Sequence, residues 1–362
     1  MKKIFLLLSL FFALQSYAQA PKLSQEAAVS VFTCGKGAEL YSTFGHTAIR
    51  IKDDVNKIDV VYNYGAFDFD TEHFYLKFVK GDLQYFIIAS SYADFIYEYQ
   101  YDNREVIEQT LNLSYTQKEQ LFELLNQSLF SEDRYYTYKF IDRNCTTMVT
   151  DKINQTVGKR LLKKVDDQNI SYRSVLYPYF EDHFWYKLGI NIIFGAKTDS
   201  KAEQLFLPVE LLNSLDRAKI NGKPLVAKKA VIVPGGTTKS GFSFFNSIYF
   251  IAVILLVIVV VNKKPVTVIY LFLLGLLGLF LSLVGLYSFH KEVLWNYNSL
   301  LFNPIFLVLP FVKGKKLNLV LKACLIMIAV YTLFLFNKAD FYLMLPFIVS
   351  NGVLLYRLLK KQ

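Results

Sequence analysis

A cysteine at a helix start and a histidine at a strand start are the reactive pair that this sequence offers. Cys145 lies in Tyr138-Lys-Phe-Ile-Asp-Arg-Asn-Cys-Thr-Thr-Met, where a β-like run meets a helix start with Asn144 as N-cap. A thiol in the first turn of a helix is close to unpaired N–H groups and the positive end of the helix dipole, which both stabilise the thiolate. His46 opens the alternating run Gly45-His-Thr-Ala-Ile-Arg-Ile, on which His46, Ala48 and Arg50 share a face. Gly45 allows a second backbone to come close there. Such a pair is suited to thiol acyl transfer: the thiolate attacks a carbonyl and the imidazole moves the proton. Asn63, on the next strand, is the candidate to orient His46 through its other ring nitrogen, with Tyr62 and Asp59 as alternatives. The backbone N–H groups of Cys145 and Thr146 are the candidate oxyanion donors. Arg50 either pairs with a lipid phosphate or forms a structural salt bridge.

Each of these residues also has a purely structural reading. Cys34 and Cys145 together would make a disulfide in an oxidising compartment, and His46 would be an ordinary half-buried side chain. His73 and His183 sit in aromatic stretches and read as packing residues, as does Cys324 in its apolar run. The sequence has no HExxH, no CxxC and no glycine-rich phosphate loop, so neither a metal nor a cofactor is expected.

The elements that must position the pair are short. Ala28 to Thr33, His46 to Ile51, Asp59 to Asn63 and Gln84 to Ala89 read as strands. Thr116 to Leu129 reads as a helix, with Leu121, Leu124, Leu125 and Leu129 on one face. A second helix starts at Cys145. The expected class is mixed α+β with an antiparallel sheet.

Composition divides the 362 residues further. A hydrophobic content of 53% against 19% charged is too apolar for a wholly soluble chain. The net charge of +10 resides at the two ends, because residues 21–240 balance 27 basic against 28 acidic side chains. A nucleic-acid-binding surface is therefore not expected. Residues 1–20 read as a secretory signal, with Lys2 and Lys3, an apolar run and the small-residue end Ala18-Gln19-Ala20. Residues 21–225 form the exported domain and 226–243 a linker, marked by Pro234, Gly235 and Gly236. Five apolar stretches follow at about 244–262, 265–287, 295–312, 318–336 and 339–358. Lys263, Lys264, Lys313, Lys315, Lys316, Arg357, Lys360 and Lys361 then fall on the cytoplasmic side, as the positive-inside rule requires, with the C-terminus also cytoplasmic. His290, Asn296, Asn298 and Asn303 fall in or beside the loop between the second and third stretches. They either cap helix ends or meet a lipid head group beside the exported domain.

These residues resemble the Lnb family. The resemblance rests on Thr33-Cys-Gly-Lys-Gly-Ala-Glu-Leu-Tyr-Ser-Thr-Phe-Gly-His-Thr-Ala-Ile-Arg-Ile, on Val60-Val-Tyr-Asn-Tyr-Gly-Ala-Phe-Asp-Phe and on Arg143-Asn-Cys-Thr-Thr. Further matches are Phe184-Trp-Tyr-Lys-Leu-Gly-Ile, Leu205-Phe-Leu-Pro and Asn296-Tyr-Asn-Ser-Leu-Leu-Phe-Asn-Pro. Lys36 departs from the Cys-x-Pro-Gly turn expected there. Histidine before cysteine, 99 residues apart, is also similar to the circularly permuted NlpC-like branch of the papain superfamily. The resemblance implies an inner-membrane N-acyltransferase. It would place a fatty chain on the α-amine of diacylated bacterial lipoproteins, with a membrane phospholipid or another lipoprotein as acyl donor. Tyr64, beside Asn63 in the matched run, joins Arg50, His290, Asn296, Asn298 and Asn303 as a substrate-binding candidate. Two alternatives stand: an NlpC-type peptidase or amidase acting on peptidoglycan, and a non-catalytic lipid- or lipoprotein-binding module.

Overall fold

The computed structural model describes residues 22–236 and 241–361. The expected signal segment lies outside them. The N-terminal part is built on strands β1 (Ala28–Cys34), β2 (His46–Asp53), β3 (Ile58–Ala66), β4 (Gln84–Ser91), β5 (Val106–Leu111) and β6 (Tyr135–Thr137). The small pair β7 (Lys219–Ile220) and β8 (Lys223–Pro224) precedes a last strand, β9 (Val226–Val233). The main sheet has seven strands in the order β6-β4-β3-β2-β1-β5-β9, with every neighbouring pair antiparallel. The strand β9 replaces the start of the expected linker: alternate apolar residues of 226–233 pair with β5, and the lysines between them are accepted because this is a sheet edge.

Helix α1 (Phe74–Lys80) follows β3, and α2 (Tyr92–Tyr101) follows β4. Next come α3 (Tyr115–Phe130), α4 (Cys145–Thr156), α5 (Tyr172–Leu176), α6 (Phe184–Ile193) and α7 (Pro208–Arg217). The period-2 alternation of the strands gives the sheet two apolar faces. On one, Val29, Val31, Ile49, Ile51, Tyr62 and Tyr64 pack against Leu121 and Leu125 of α3, Val149 and Ile153 of α4, and Leu211 and Leu215 of α7. On the other, Phe32, Cys34, Ala48 and Val61 are covered by Phe95, Ile96 and Tyr99 of α2.

The C-terminal part consists of α8 (Ile248–Val261), α9 (Lys264–Tyr287), α10 (Gly314–Leu335) and α11 (Phe341–Lys360). The last three are long and apolar enough to cross a membrane, whereas α8 has 14 residues. The expected stretch at 295–312 is not a helix. It runs through short 3₁₀ turns at Tyr297–Leu300 and Pro304–Val308. The cause is local: the side chains of Asn296 and Asn303 accept from the N–H groups of Asn298 and Ile305, so they compete with helical bonding, and Pro304 has no N–H to give. This stretch packs along α9, with Leu307 against Gly275 and the Phe302 carbonyl against Gly278. The Asn351 amide donates to Leu301 O at 3.2 Å. Irregular backbone is tolerated at membrane depth when protein surrounds it and supplies its hydrogen bonds.

Polar contacts join the two parts. Lys338, between α10 and α11, and Arg173 of α5 both pair with Asp199 at 2.7 Å. Trp185 Nε1 donates to Phe245 O at 3.0 Å. At the far ends of the helices, Lys361 Nζ lies 3.2 Å from Asn262 Oδ1 and Arg357 donates to Val259 O.

Candidate active site

Cys145 is the first residue of α4, and the turn around it is fixed from several sides. The Asn144 side chain accepts from Thr147 N at 3.0 Å, and Thr147 Oγ1 accepts from Asn144 N at 2.8 Å. The other end of the same amide donates to Phe140 O at 2.8 Å and Phe206 O at 2.9 Å. Glu210 holds the Phe206 side by accepting from Phe206 N and Leu207 N, and it pairs with the buried Lys164. The reciprocal cap uses the N–H groups of Asn144 and Thr147, so those of Cys145 and Thr146 are left as the free donors of the first turn.

His46 begins β2 beside this turn. Gly45 precedes it at φ +82°, a left-handed conformation, and a Cβ there would run into the Cys34 carbonyl. The Thr47 and Thr146 hydroxyls meet at 3.2 Å, tying β2 to α4. Burial alone would raise the Cys145 thiol pKa. The charge and hydrogen bond of His46, the Thr47 N–H and the Thr146 hydroxyl outweigh it, and the thiol is held below its ordinary value. Its Sγ lies 3.9 Å from Thr146 Oγ1.

The His46 Nε2 atom is 3.3 Å from Asn63 Oδ1. Ala48 pairs with Asn63 across β2 and β3, so the asparagine is on the His46 face of the sheet. Its Nδ2 faces Val61 O and Ser90 Oγ, each at 3.4 Å, which orients the amide oxygen to the ring. An oxygen acceptor there selects the Nε2–H tautomer and leaves Nδ1 as the basic nitrogen.

Cys34 and Cys145 are both free thiols. Cys34 is buried under α2, and burial pushes its pKa up to about 12. The two cysteines differ as a buried packing thiol and an activated one.

Several expected site residues lie elsewhere. Arg50 is not free for a phosphate: it forms a bidentate pair with Asp59 at 2.7 Å, a bond to Glu108 at 3.1 Å and a stack on the Tyr92 ring at 3.5 Å. Asp59 is thereby committed to Arg50 and does not orient His46. Tyr62 likewise serves elsewhere, donating to Asn126 at 2.9 Å. Tyr64 does not reach a substrate, because parity on β3 turns it away from Asn63 into the core, where it meets Tyr136. Asn298 is fully buried; its amide donates to Asn191 O and Ile192 O, while its oxygen accepts from Tyr331. Asn296 donates to Ile192 O and Ile193 O, both at 2.8 Å. These two asparagines cap the end of α6, and Asn303 caps its own 3₁₀ turn. His290 Nε2 donates to Phe78 O at 2.9 Å, and the ring rests on Gly81. Asn296, Asn298 and His290 serve the junction of the two parts, and Asn303 serves the 295–312 stretch itself.

Tyr136 is a site neighbour with no sequence expectation. A Cβ on Gly65 would lie 3.8 Å from Cys145 Cβ and 3.9 Å from Tyr136 Oη, so that glycine sits between thiol and phenol. The phenol is buried and unpartnered, and burial, with Cys145 nearby, raises its pKa far above the ordinary range. It is a neutral O–H donor beside Cys145. Its place was hidden in sequence because β6 is three residues long and its pairing partner, β4, lies about fifty positions upstream.

Comparison with known proteins identifies the domain that carries this site. No curated protein and no solved structure matches the chain. Residues 16–177, which include β1 to β6, His46, Asn63 and Cys145, match the family model described as the Lnb N-terminal periplasmic domain. Over those residues the chain carries an Lnb N-terminal periplasmic domain.

Proposed function

We propose that the protein is a lipoprotein N-acyltransferase that works through a thioester on Cys145. The observation that carries this reading is the array Cys145–His46–Asn63, with the thiol at a capped helix start and its pKa lowered by the imidazole. The order of these residues and their placement on strand and helix fit a circularly permuted papain-like, NlpC-type domain.

In the first half-reaction the Cys145 thiolate attacks an acyl ester carbonyl of a membrane phospholipid. The S–C bond forms, the ester C–O bond breaks, and His46, which took the thiol proton, returns it to the departing alkoxide. The N–H groups of Cys145 and Thr146, joined by the Tyr136 hydroxyl, are suited to hold the oxyanion. In the second half-reaction the α-amine of a diacylated lipoprotein attacks the thioester. The N–C bond forms, the C–S bond breaks, and His46 takes the amine proton. Aromatic side chains around Cys145 favour the amine over water by keeping the site dry.

A periplasmic domain joined to three membrane-capable helices suits a substrate that never leaves the bilayer. The multiple helices weigh against a peptidoglycan hydrolase, for which one anchor would be enough. The free thiols of Cys34 and Cys145 weigh against a disulfide-stapled binding module. With the sheet domain in the periplasm, the lysines near Asn262 and Lys361 fall on the cytoplasmic side together with the C-terminus. The deciding experiment is mass spectrometry of the N-terminal lipopeptide of an abundant lipoprotein. The cells lack the gene and are complemented with wild type or Cys145→Ala. Loss of the third acyl chain, restored by wild type alone, is the expected result; triacylated lipopeptides in the absence of the gene and of any redundant copy would refute the reading.

A further inference from the structure

The helix α1 has no buried residue. Tyr75, Leu76, Phe78 and Val79 are all exposed, and Phe69 just before the helix is 61% exposed. A soluble domain rarely shows so continuous an apolar patch without a partner. The position of this one defines the partner, because α1 ends on the membrane helix α9. Ser288 Oγ donates to Val79 O at 2.7 Å, Phe289 N donates to Lys80 O at 2.6 Å, and His290 meets Phe78 O. At that same end of α9, Leu286 is 85% exposed, and Tyr287 and Phe289 are exposed as well. The apolar surface of α1 is thus continuous with the lipid-facing surface of a membrane-capable helix. Lys77 supplies a positive charge that favours anionic head groups, whereas Lys80 is paired with Asp82.

A line of rings leads inward from this patch. Phe78 contacts Phe74, Phe74 contacts Phe67, and Phe67 contacts Tyr85, with centroids 5.2–6.4 Å apart. Tyr85 stacks on Tyr138 at 4.4 Å. Tyr138 and Cys145 pack against the same core cluster. A small hollow, with room for roughly one water, is lined by Phe78, Gly81, Leu83, Tyr85, Tyr138 and His290 and marks this line.

We infer that α1 lies in the outer membrane–water interface and that the aromatic line from Phe78 to Tyr138 receives the hydrocarbon chain of the lipid whose carbonyl reaches Cys145. The occupant is lipid hydrocarbon; the delivery to Cys145 rests on the acyl-transfer reading above, but the seating of α1 in lipid does not.

The test uses the full-length protein as Cys145→Ala, so that no turnover intervenes. It is reconstituted in phosphatidylethanolamine and phosphatidylglycerol vesicles with a trace of phospholipid bearing a diazirine near the end of one acyl chain. Photolysis and peptide mapping should label the Phe67–Val79 segment about tenfold more than Tyr97 and Tyr101, which are equally exposed aromatics on α2 across the sheet. Labelling confined to α8–α11, or equal labelling of α1 and α2, overturns the inference. In the Cys145 form, Leu76→Asp should slow thioester formation about tenfold, while alkylation of Cys145 by water-soluble iodoacetamide is unchanged and Leu76→Phe restores the rate. Unchanged thioester formation in Leu76→Asp overturns the delivery role. If the wild type forms no thioester while α1 is still labelled, the acyl-transfer reading fails and the lipid contact stands.

Discussion

The Asn63 carboxamide oxygen stands 3.3 Å from His46 Nε2 and faces that nitrogen because Val61 O and Ser90 Oγ hold the other end of the amide. The consequence is chemical. With Nε2 carrying the hydrogen, Nδ1 is left with the lone pair, and under the acyl-transfer proposal it is the nitrogen that takes the thiol proton.

Asn63→Ala should therefore lower the rate of Cys145 acylation by about tenfold or more, part of what a positioned base contributes. Asn63 is buried, with long contacts to Val61 O and Ser90 Oγ, so a loss of about 1 kcal/mol of stability should accompany the change. Single-turnover acylation, followed by intact mass, checks the rate. Circular dichroism of the same sample checks the fold. An unchanged rate would remove Asn63 from the site.

The two periplasmic thiols should titrate apart. Burial pushes the Cys145 pKa up, but His46, the Thr47 N–H and the Thr146 hydroxyl together leave it lowered, so its thiolate is populated at lower pH than an ordinary cysteine. Cys34, with burial pushing it up to about 12, stays protonated. Iodoacetamide should then modify Cys145 in the native detergent-solubilised protein and spare Cys34 until the chain unfolds. His46→Ala should move the Cys145 alkylation profile to higher pH. Equal labelling of both cysteines at neutral pH would contradict the site geometry.

These features were unequally legible in the sequence. Asn144 and the two threonines after Cys145 announce a helix start, and the capped first turn is found there. Alternation fixes the faces of β2 and β3, so parity alone separates Asn63, on the His46 face, from Tyr64, in the core. A structural salt bridge was one of the two readings open for Arg50, but its partners were not legible, because Asp59 lies on the adjacent β3 and Glu108 on β5, beyond β1, and only the folded sheet brings them together. Hydropathy also misread 295–312. Apolar content sets where a segment can sit, but here asparagine–backbone bonds decide its conformation.

Asp53 offers a pH test of the sheet domain. Burial would raise its carboxyl pKa, but bonds from the Ser24 N–H and hydroxyl and from Asn56 lower it to about 2 from an ordinary 3.8. A depressed carboxylate stabilises the fold fully above its unfolded value near 4, and this contribution is lost as pH falls towards 2. The stability difference between wild type and Asp53→Asn, measured by urea denaturation, should be constant above about pH 5 and shrink progressively below pH 4. A difference that does not change over this range would mean that Asp53 is not held by Ser24 and Asn56.

The two glycines Gly278 and Gly352 sit in different membrane-capable helices and should respond oppositely to alanine. A Cβ at Gly278 would overlap the Phe302 carbonyl and crowd Pro304, so the irregular 295–312 pass would have to withdraw from α9. Around Gly352 a Cβ meets nothing within 4 Å. Gly278→Ala should thus cost about 1–3 kcal/mol through overpacking, whereas Gly352→Ala should be neutral or stabilising by up to about 1 kcal/mol through helix propensity. Thermal unfolding in detergent compares the two directly. Because Asn296 and Asn298 tie this pass to the end of α6, the damage at Gly278 should extend across the junction and loosen the sheet domain, which limited proteolysis at the α6–α7 connection would report. Equal tolerance of both alanines would mean that the pass does not pack against α9 as described.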